Sequence, residues 1–476
     1  MLIRNTLIYS VGRGAAGVVS LCALALFTRL LSPEEYGRYA LVVAYVGLVN
    51  GVAFQWLQLA TRRFYIAHAD RRADFLNTVR AAYARIAVGA LVVGILILVA
   101  WPDVRWRWLL TLGAIVLTAQ AWFELALELS LAGLEPVRYG LLTLVKAMFS
   151  LACGGVLAWL GFGAAGILIG LIVGYLIPAV VATLGHWQVA SSGRPDAGMM
   201  REFLAYGIPL TGTLALAFVV SSTDRMLLGW LRGPADVGTY GVAYDLSFQG
   251  LTALMMLVNL SGFPLAIRAL EVLGLASARE HAARHATLLL AVAAPATVGL
   301  ALLAPNLSGV LLGGAFRQGA TVLLPWLAVA AFVGGLKAFY FDLSFQLGRA
   351  TLKQMWVGAF AAAVNVGLNL LWIPRFGVLG AAWASLTAYL AALTMSVVLG
   401  RRVFIMPVPA LEWAKVAVAS TAMGLALLPS VAWRGQRALA VQVLGAGLIY
   451  VVAVILLNVG GTRRLLAQRL QLGGAR

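Results

Sequence analysis

Charged residues are scarce in this chain of 476 residues, of which Asp, Glu, Lys and Arg together make up 11%. Soluble globular domains carry about 25% charged residues and about 45–50% apolar residues. Here the hydrophobic share is 62%. Because so few charges cannot cover a surface that faces water, the composition excludes a soluble protein and predicts an integral membrane protein.

Metal-ligating and redox side chains are also few, with two cysteines and four histidines. Cys22 and Cys153 each lie in an apolar run, and neither their spacing nor their location indicates a disulfide or a metal site. His281 and His285 are four residues apart, but their neighbours offer no third ligand. We therefore expect a solvated helix face there, and neither a metal nor a cofactor in the protein.

Acidic residues are outnumbered, since 17 Asp and Glu stand against 35 Lys and Arg and give a formal net charge of +18. Such a basic chain would ordinarily suggest a nucleic-acid partner. In a membrane protein, however, Lys and Arg collect in cytoplasmic connections, so we expect no nucleic acid. One alternate set of connections, which includes both termini, holds more than twice as many Lys and Arg as the other. This bias predicts that both termini are cytoplasmic.

Long apolar runs fill most of the chain, and a helix needs about 20 such residues to cross a bilayer. Fourteen runs of this kind lie near residues 7–31, 37–61, 80–101, 106–132, 138–160, 163–187, 203–230, 237–265, 284–305, 318–347, 350–373, 377–400, 409–429 and 437–459. We predict an all-α polytopic membrane protein with about 14 transmembrane helices, or 12 if the last hairpin is misread. The connections are too short for a soluble catalytic domain, so we expect no catalytic residues.

Two short motifs recur in the same order in both halves of the chain. The pattern P-x-[DE]-x-G-x-Y spans residues 33–39 and again 234–240, and an F-G-x-x-G pattern spans residues 162–166 and 376–380. This duplication predicts two six-helix lobes, residues 1–200 and 201–402, related by a pseudo-two-fold axis along the membrane normal. Residues 403–476 would add a C-terminal hairpin of two spans and a basic tail.

Residues 27–39, which read FTRLLSPEEYGRY, resemble the N-terminal signature of polysaccharide-biosynthesis flippases of the Wzx type. Residues 223–229, TDRMLLG, together with Val237-Gly238-Thr239-Tyr240, are similar to the signature of that family's second half. These flippases belong to the superfamily of multidrug, oligosaccharidyl-lipid and polysaccharide exporters. Lipid II flippases and multidrug/cation antiporters belong to it as well.

The resemblance implies a flippase that moves a polyprenyl-diphosphate-linked oligosaccharide across the bacterial inner membrane by alternating access. The product would serve the synthesis of surface polysaccharide such as O-antigen, exopolysaccharide or capsule, and no bond would be made or broken. We expect a monomer surrounded by membrane lipids, with polysaccharide polymerase machinery as a possible partner. The alternatives are a lipid II flippase or a multidrug/cation antiporter, and less favoured, a membrane polysaccharide polymerase or ligase.

Charges inside the apolar runs are candidate site residues, because each costs about 2.5–3.5 kcal/mol to insert into a bilayer. Cations would offset the desolvation of a diphosphate, and Arg offers it bidentate hydrogen bonds. The candidate substrate-binding residues are Arg13, Lys146, Arg225, Lys337 and Tyr244. The competing interpretations are ion pairing or snorkelling for the cations, and ordinary helix packing for Tyr244 within an aromatic stripe with Tyr240 and Phe248.

Glu124 and Glu128 are four residues apart on one predicted helix face. Two carboxylates this close in a low-dielectric setting favour retention of a proton, which suits proton coupling. The alternative is that Glu128 reaches the cytoplasmic headgroups while Glu124 pairs with Lys146.

Three aspartates complete the candidates for ion coupling: Asp224, Asp245 and Asp342. Asp224 and Asp245 lie at similar predicted depths and could meet, and Asp224 could instead pair with Arg225. Lys337 and Asp342 are five residues apart, which is about 140° around an α-helix. We therefore expect that these two do not pair directly.

Overall fold

The computed structural model describes the backbone of residues 2–463, and it describes the side chains of that range apart from residues 2–13, 213–217, 219–221, 260–261 and 263–264. Helices occupy all fourteen positions at which the sequence predicts spans. Within the described part, ten helices are long and apolar enough to cross a membrane, or eleven if one bent pair counts as a single span. The prediction of an all-α, multi-pass membrane protein is confirmed.

The chain divides into two compact units, residues 1–241 and 242–476. The first unit contains α1 (Leu2–Leu30), α2 (Pro33–Ala53), α3 (Gln55–Phe64), α4 (Arg72–Ala100), α5 (Val104–Ala132), α6 (Pro136–Leu157), α7 (Gly163–Ser191), α8 (Ala197–Leu231) and the start of α9 (Pro234–Tyr244). The second contains the end of α9, then α10 (Gly250–Val272), α11 (Leu275–Leu302), α12 (Ala304–Leu311), α13 (Gly314–Leu336), α14 (Leu343–Leu347), α15 (Thr351–Phe376), α16 (Val378–Gly400), α17 (Ala410–Leu427) and α18 (Gln436–Leu456). The lobe boundaries predicted from the repeats stay a prediction.

In the first unit, α6 packs against α1 and α7, and α5 packs against α4 and α7. The predicted second span is divided: α2 ends at Ala53, α3 begins at Gln55, and their axes differ by 50°. The start of α2 is well specified locally, because Pro33 is its first residue and the Ser32 hydroxyl accepts the Glu35 N–H at 3.3 Å. No proline stands at the break before α3, so its cause must lie in contacts with other helices.

The repeated motifs form matching local structures. Gly163 has φ 57° and ψ −136°, and Gly377 in the second copy has φ 58° and ψ −134°. Each stands at a left-handed turn between two helices, where a side chain is disfavoured. The first copies of the two motifs also touch, since the Glu35 Oε2 accepts the N–H of Ala164 at 3.0 Å. The same backbone conformation in both copies supports the predicted duplication.

In the second unit, α10 packs on α11, α13 on α16, and α15 on α16, around a core that includes Met255, Leu289 and Tyr340. The prediction of a solvated face for His281 and His285 is wrong for His285, which is 3% exposed. Its Nε2 donates to the carbonyl oxygen of Phe339 at 2.9 Å, because α11 turns this face toward the core. Among the described residues, one π-helical turn in the first unit, at Ala158–Phe162, and two in the second, at Asp245–Gln249 and Lys337–Phe341, interrupt the α-helices.

Candidate functional site

Glu124 lies at the centre of a set of three side-chain amides in the first unit. Its Oε2 accepts hydrogen bonds from Asn50 Nδ2 at 2.7 Å and Gln58 Nε2 at 2.6 Å. Its Oε1 accepts one from Gln120 Nε2 at 2.8 Å. An ionised carboxylate only accepts hydrogen bonds, so three amide donors fit a charged Glu124 and offset the cost of its partial burial.

The amides reach Glu124 from both sides of the break between α2 and α3. Asn50 lies in the last turn of α2 and Gln58 in the first turn of α3, and each is at most 5% exposed. One carboxylate on α5 therefore fixes both arms of the bent span. Asn50 Oδ1 is buried and has no hydrogen-bond partner among the described residues. Asn50 Oδ1 is therefore an acceptor near the carboxylate that can still take a hydrogen bond.

Glu128 and Lys146 have different partners from those of Glu124. Glu128 Oε2 lies 3.3 Å from Arg62 Nε in a partly exposed ion pair. Lys146 Nζ lies 4.7 Å from the centre of the Tyr175 ring. Among the described side chains Lys146 forms no ion pair with a carboxylate, so the alternative in which Glu124 pairs with it does not hold.

Lys337 and Asp342 form a close ion pair in the second unit, with Nζ to Oδ2 at 2.6 Å. The prediction that they do not pair is wrong, because residues 337–341 form a π-helical turn instead of an α-helical one. The wider turn is closed by a bond from the Asp342 N–H to the Lys337 carbonyl at 2.8 Å, which places residues five apart on one face. Asp342 Oδ1 also accepts the Ser396 hydroxyl at 2.6 Å.

A cavity of about 320 Å³ lies beside this ion pair. Ser396, which holds Asp342, lines the cavity together with Ser344, Phe341 and Arg401. Asp342 is 3% exposed, so the charge pair lies behind the cavity wall. A phosphate that approached Lys337 would have to compete with the carboxylate of Asp342.

The remaining candidates are distributed over both units. Asp224 on α8 is 1% exposed and accepts the Tyr240 hydroxyl at 2.7 Å. Tyr240 is itself fully buried. Tyr244 stacks on Phe248 with ring centres 4.1 Å apart, and Phe248 lies 5.8 Å from Tyr389.

Three further candidates are Asp245, Arg225 and Arg13, and their roles stay predictions. Asp245 begins the π-helical turn at Asp245–Gln249 and is partly buried. Arg225 follows Asp224 on α8 and is partly buried as well. Arg13 lies on α1, and its side chain is outside the described residues. Substrate and ion-coupling roles for all these residues stay predictions.

Four residues of these sites are not among the candidates predicted from the sequence: Asn50, Gln58, Gln120 and Ser396. A signal was present for three of them. Gln120 precedes Glu124 by four residues, and Asn50 and Gln58 are polar side chains eight residues apart in an apolar run, on one helix face. Ser396 gave no such signal, because serine is common in buried helices and its partner comes from a distant segment.

The model of the family described as "Polysaccharide biosynthesis protein" matches residues 26–320. A search of curated protein sequences gives no match. Among solved structures, the lipid II flippase MurJ in an inward closed conformation is similar at a TM-score of 0.77 and 12% identity, over 97% of this chain and 100% of that one.

Two other solved structures are similar over a somewhat smaller share of the chain. An inward-facing multidrug resistance MATE family transporter of the MOP superfamily has a TM-score of 0.60 and 14% identity, over 81% of this chain and 94% of that one. A MOP superfamily transporter from Pyrococcus furiosus has a TM-score of 0.54 and 12% identity, over 84% and 94%. At these identities the likeness establishes the fold.

Proposed function

The chain belongs to the polysaccharide biosynthesis protein family, and on that premise we propose that it is a flippase for a polyprenyl-diphosphate-linked oligosaccharide. The observation that carries the proposal is the family match over residues 26–320, which includes both copies of the P-x-[DE]-x-G-x-Y motif. The transporter fold agrees with it, since MurJ, which matches over nearly the whole chain, is itself a flippase of a lipid-linked substrate. The reaction is translocation, with no covalent step.

The cations inside the membrane body support an anionic cargo. Lys146 is the best placed of them, because it lies against the Tyr175 ring and forms no ion pair with a described carboxylate. A diphosphate that reached Lys146 would therefore not have to displace a carboxylate from it. Lys337 is held by Asp342 and would be available only after that pair separates.

Glu124 supports coupling of transport to a proton. In its ionised form the carboxylate holds both arms of the α2–α3 bend through Asn50 and Gln58. A protonated Glu124 has an O–H to donate, and the buried Asn50 Oδ1 can accept it once the amide turns over. Protonation then replaces one of the hydrogen bonds that Glu124 accepts with one that it donates.

Two related functions remain as second candidates. A lipid II flippase would use the same fold and the same kind of anionic lipid cargo. A multidrug/cation antiporter would need acidic groups open to a cation, whereas Glu124 is surrounded by amide donors and Asp342 by Lys337 and Ser396. A polymerase or ligase is disfavoured, because those enzymes place catalytic residues on a large periplasmic loop.

The proposed setting is the bacterial inner membrane with both termini in the cytoplasm, as the distribution of Lys and Arg predicts. The protein would act as a monomer, with the polysaccharide polymerase acting on its product. Removal of the gene tests the function in cells. We expect intact lipid-linked oligosaccharide to accumulate in the cytoplasmic leaflet while surface polysaccharide is lost, and restoration by the plasmid-borne gene. Unchanged polysaccharide with altered sensitivity to cationic compounds would favour the antiporter.

A further inference from the structure

A second cluster of cations lies away from the buried charges, at one end of the first unit. It surrounds a cavity of about 330 Å³ whose lining includes Tyr65, Arg72, Leu76, Arg138, His186 and Val189. Four helix ends meet there: Tyr65 follows α3, Arg72 begins α4, Arg138 is in the first turn of α6, and His186 is in the last turns of α7. The distribution of Lys and Arg predicts that this end faces the cytoplasm.

Arg72 is available to a ligand in this cavity. Its guanidinium carbon lies 3.8 Å from the centre of the Tyr65 ring, and among the described side chains it has no carboxylate partner. Its sequence neighbour Arg71, by contrast, bonds both Asp74 and Asp196. A guanidinium stacked on an aromatic ring keeps its planar set of N–H donors for an anion.

Arg138 provides the second permanent positive charge. It is held in position by Glu135 Oε2 at 2.8 Å and by the carbonyl oxygen of Ala182. Glu135 is 45% exposed, so water weakens its hold on the guanidinium. The N-termini of α4 and α6 add partial positive charge at the same end of the unit.

Part of the cavity lining is apolar. Leu76 forms a buried part of it, and Val189, which is 46% exposed, forms another part. Gly185 leaves open space, since nothing lies within 4 Å of the position that its Cβ would take. A cationic mouth joined to an apolar wall at a helix end suits a phosphate that carries a lipid chain better than a free phosphate.

We propose that this cavity binds the diphosphate headgroup of a polyprenyl lipid at the cytoplasmic surface, before transport. The charge of the headgroup distinguishes a polyprenyl diphosphate from an ordinary phospholipid. Two guanidinium groups match a diphosphate, whereas a phosphodiester headgroup carries a single negative charge. The choice of a diphosphate rests on the proposed function, and the cationic cavity itself does not.

Binding of a labelled polyprenyl diphosphate to the full-length protein in nanodiscs of neutral lipid tests the proposal. We expect Arg72→Gln and Arg138→Gln each to weaken binding about tenfold, which corresponds to the loss of one charge-assisted hydrogen bond. Arg63→Gln is the matched control, because Arg63 is an exposed arginine of the neighbouring helix end that does not line the cavity. It should change binding less than twofold, and all variants should keep the thermal stability of the unmodified protein.

Competitors identify the source of the phosphate. Unlabelled polyprenyl diphosphate should displace the label, while phosphatidylglycerol and inorganic diphosphate at the same concentration should not. Equal binding by Arg72→Gln and the unmodified protein would overturn the site. Equal competition by phosphatidylglycerol would make it a general phospholipid site. Equal competition by inorganic diphosphate would show that the polyprenyl chain of the lipid does not contribute to binding. Either result would overturn the assignment. If the unmodified protein binds at Arg72 and yet does not translocate the lipid, the proposed function fails and the site stands.

Discussion

Gly37 and Gly238 hold the same position in the two copies of the P-x-[DE]-x-G-x-Y motif, and their backbones lie in direct contact. The contact is reciprocal. A Cβ on Gly37 would collide with the carbonyl oxygen of Pro234, and a Cβ on Gly238 would collide with that of Pro33. The repeated glycine is therefore explained by close approach of two helix starts, those of α2 and α9.

Gly37→Ala and Gly238→Ala should each destabilise the protein by about 1–3 kcal/mol, because the added methyl group must push two backbones apart. Thermal unfolding of the purified protein in detergent measures the effect. Gly51→Ala is the control on the same helix, since nothing lies within 4 Å of its Cβ position, and alanine there should be neutral or stabilising by up to about 1 kcal/mol. Equal melting temperatures for Gly37→Ala and Gly51→Ala would contradict the close contact.

Replacement of Lys337 alone should be costly, since Lys337→Met leaves the Asp342 carboxylate buried without its cation. Loss of one partner of a buried ion pair costs about 3–5 kcal/mol. The double variant Lys337→Met with Asp342→Leu should recover most of that stability, because no charge is then left behind. Thermal unfolding of the two single variants and the double variant measures this coupling. Additive losses in the double variant would show that the pair is not coupled.

Glu124→Gln should remove the dependence of transport on a pH gradient. The new amide offers one acceptor oxygen to the three amide donors Asn50, Gln58 and Gln120. At least one of the hydrogen bonds that they donate is then lost, at about 1–3 kcal/mol of stability. Glu128→Gln is the comparison, because Glu128 lies one turn away on the same helix and pairs with Arg62 instead of the three amides. Translocation into vesicles with and without an imposed pH gradient measures the effect. A Glu124→Gln protein that still responds to the gradient would rule out this carboxylate as the coupling group.

Lys146→Gln should reduce translocation about tenfold if the lysine contacts the diphosphate, which is the loss of one charge-assisted hydrogen bond. Folding should survive, because no described carboxylate is left without its partner. Lys353→Gln makes the same change at an exposed position near the start of α15 and should leave translocation unchanged. Membrane levels of both variants must match that of the unmodified protein. A Lys146→Gln protein with normal translocation would exclude the contact.

The helices could be predicted because the length of an apolar run is a local property, and all fourteen runs lie on helices. The repeated motifs could be found in the sequence, and the structure adds that Gly163 and Gly377 share one unusual backbone conformation. The bend after Ala53 could not, because it has no proline and the groups that hold it converge on Glu124 of another helix.

The Lys337–Asp342 pair could not be predicted from the sequence for the same reason. In a regular α-helix the two residues would lie on different faces. The π-helical turn that brings them together is held by groups from distant segments. Ser396 on α16 donates a hydrogen bond to the aspartate, and His285 on α11 donates one to the Phe339 carbonyl of the turn. Burial of His285 follows from the packing of α11 and not from the spacing of the histidines.

Translocation of a lipid-linked oligosaccharide is tested most directly with the purified protein in sealed vesicles. Polyprenyl-diphosphate-linked oligosaccharide is placed in both leaflets, and the fraction open to an externally added glycan-cleaving enzyme is followed over time. Vesicles with the protein should expose nearly all of the oligosaccharide, and protein-free vesicles only the outer half. Equal exposure in both would contradict the account.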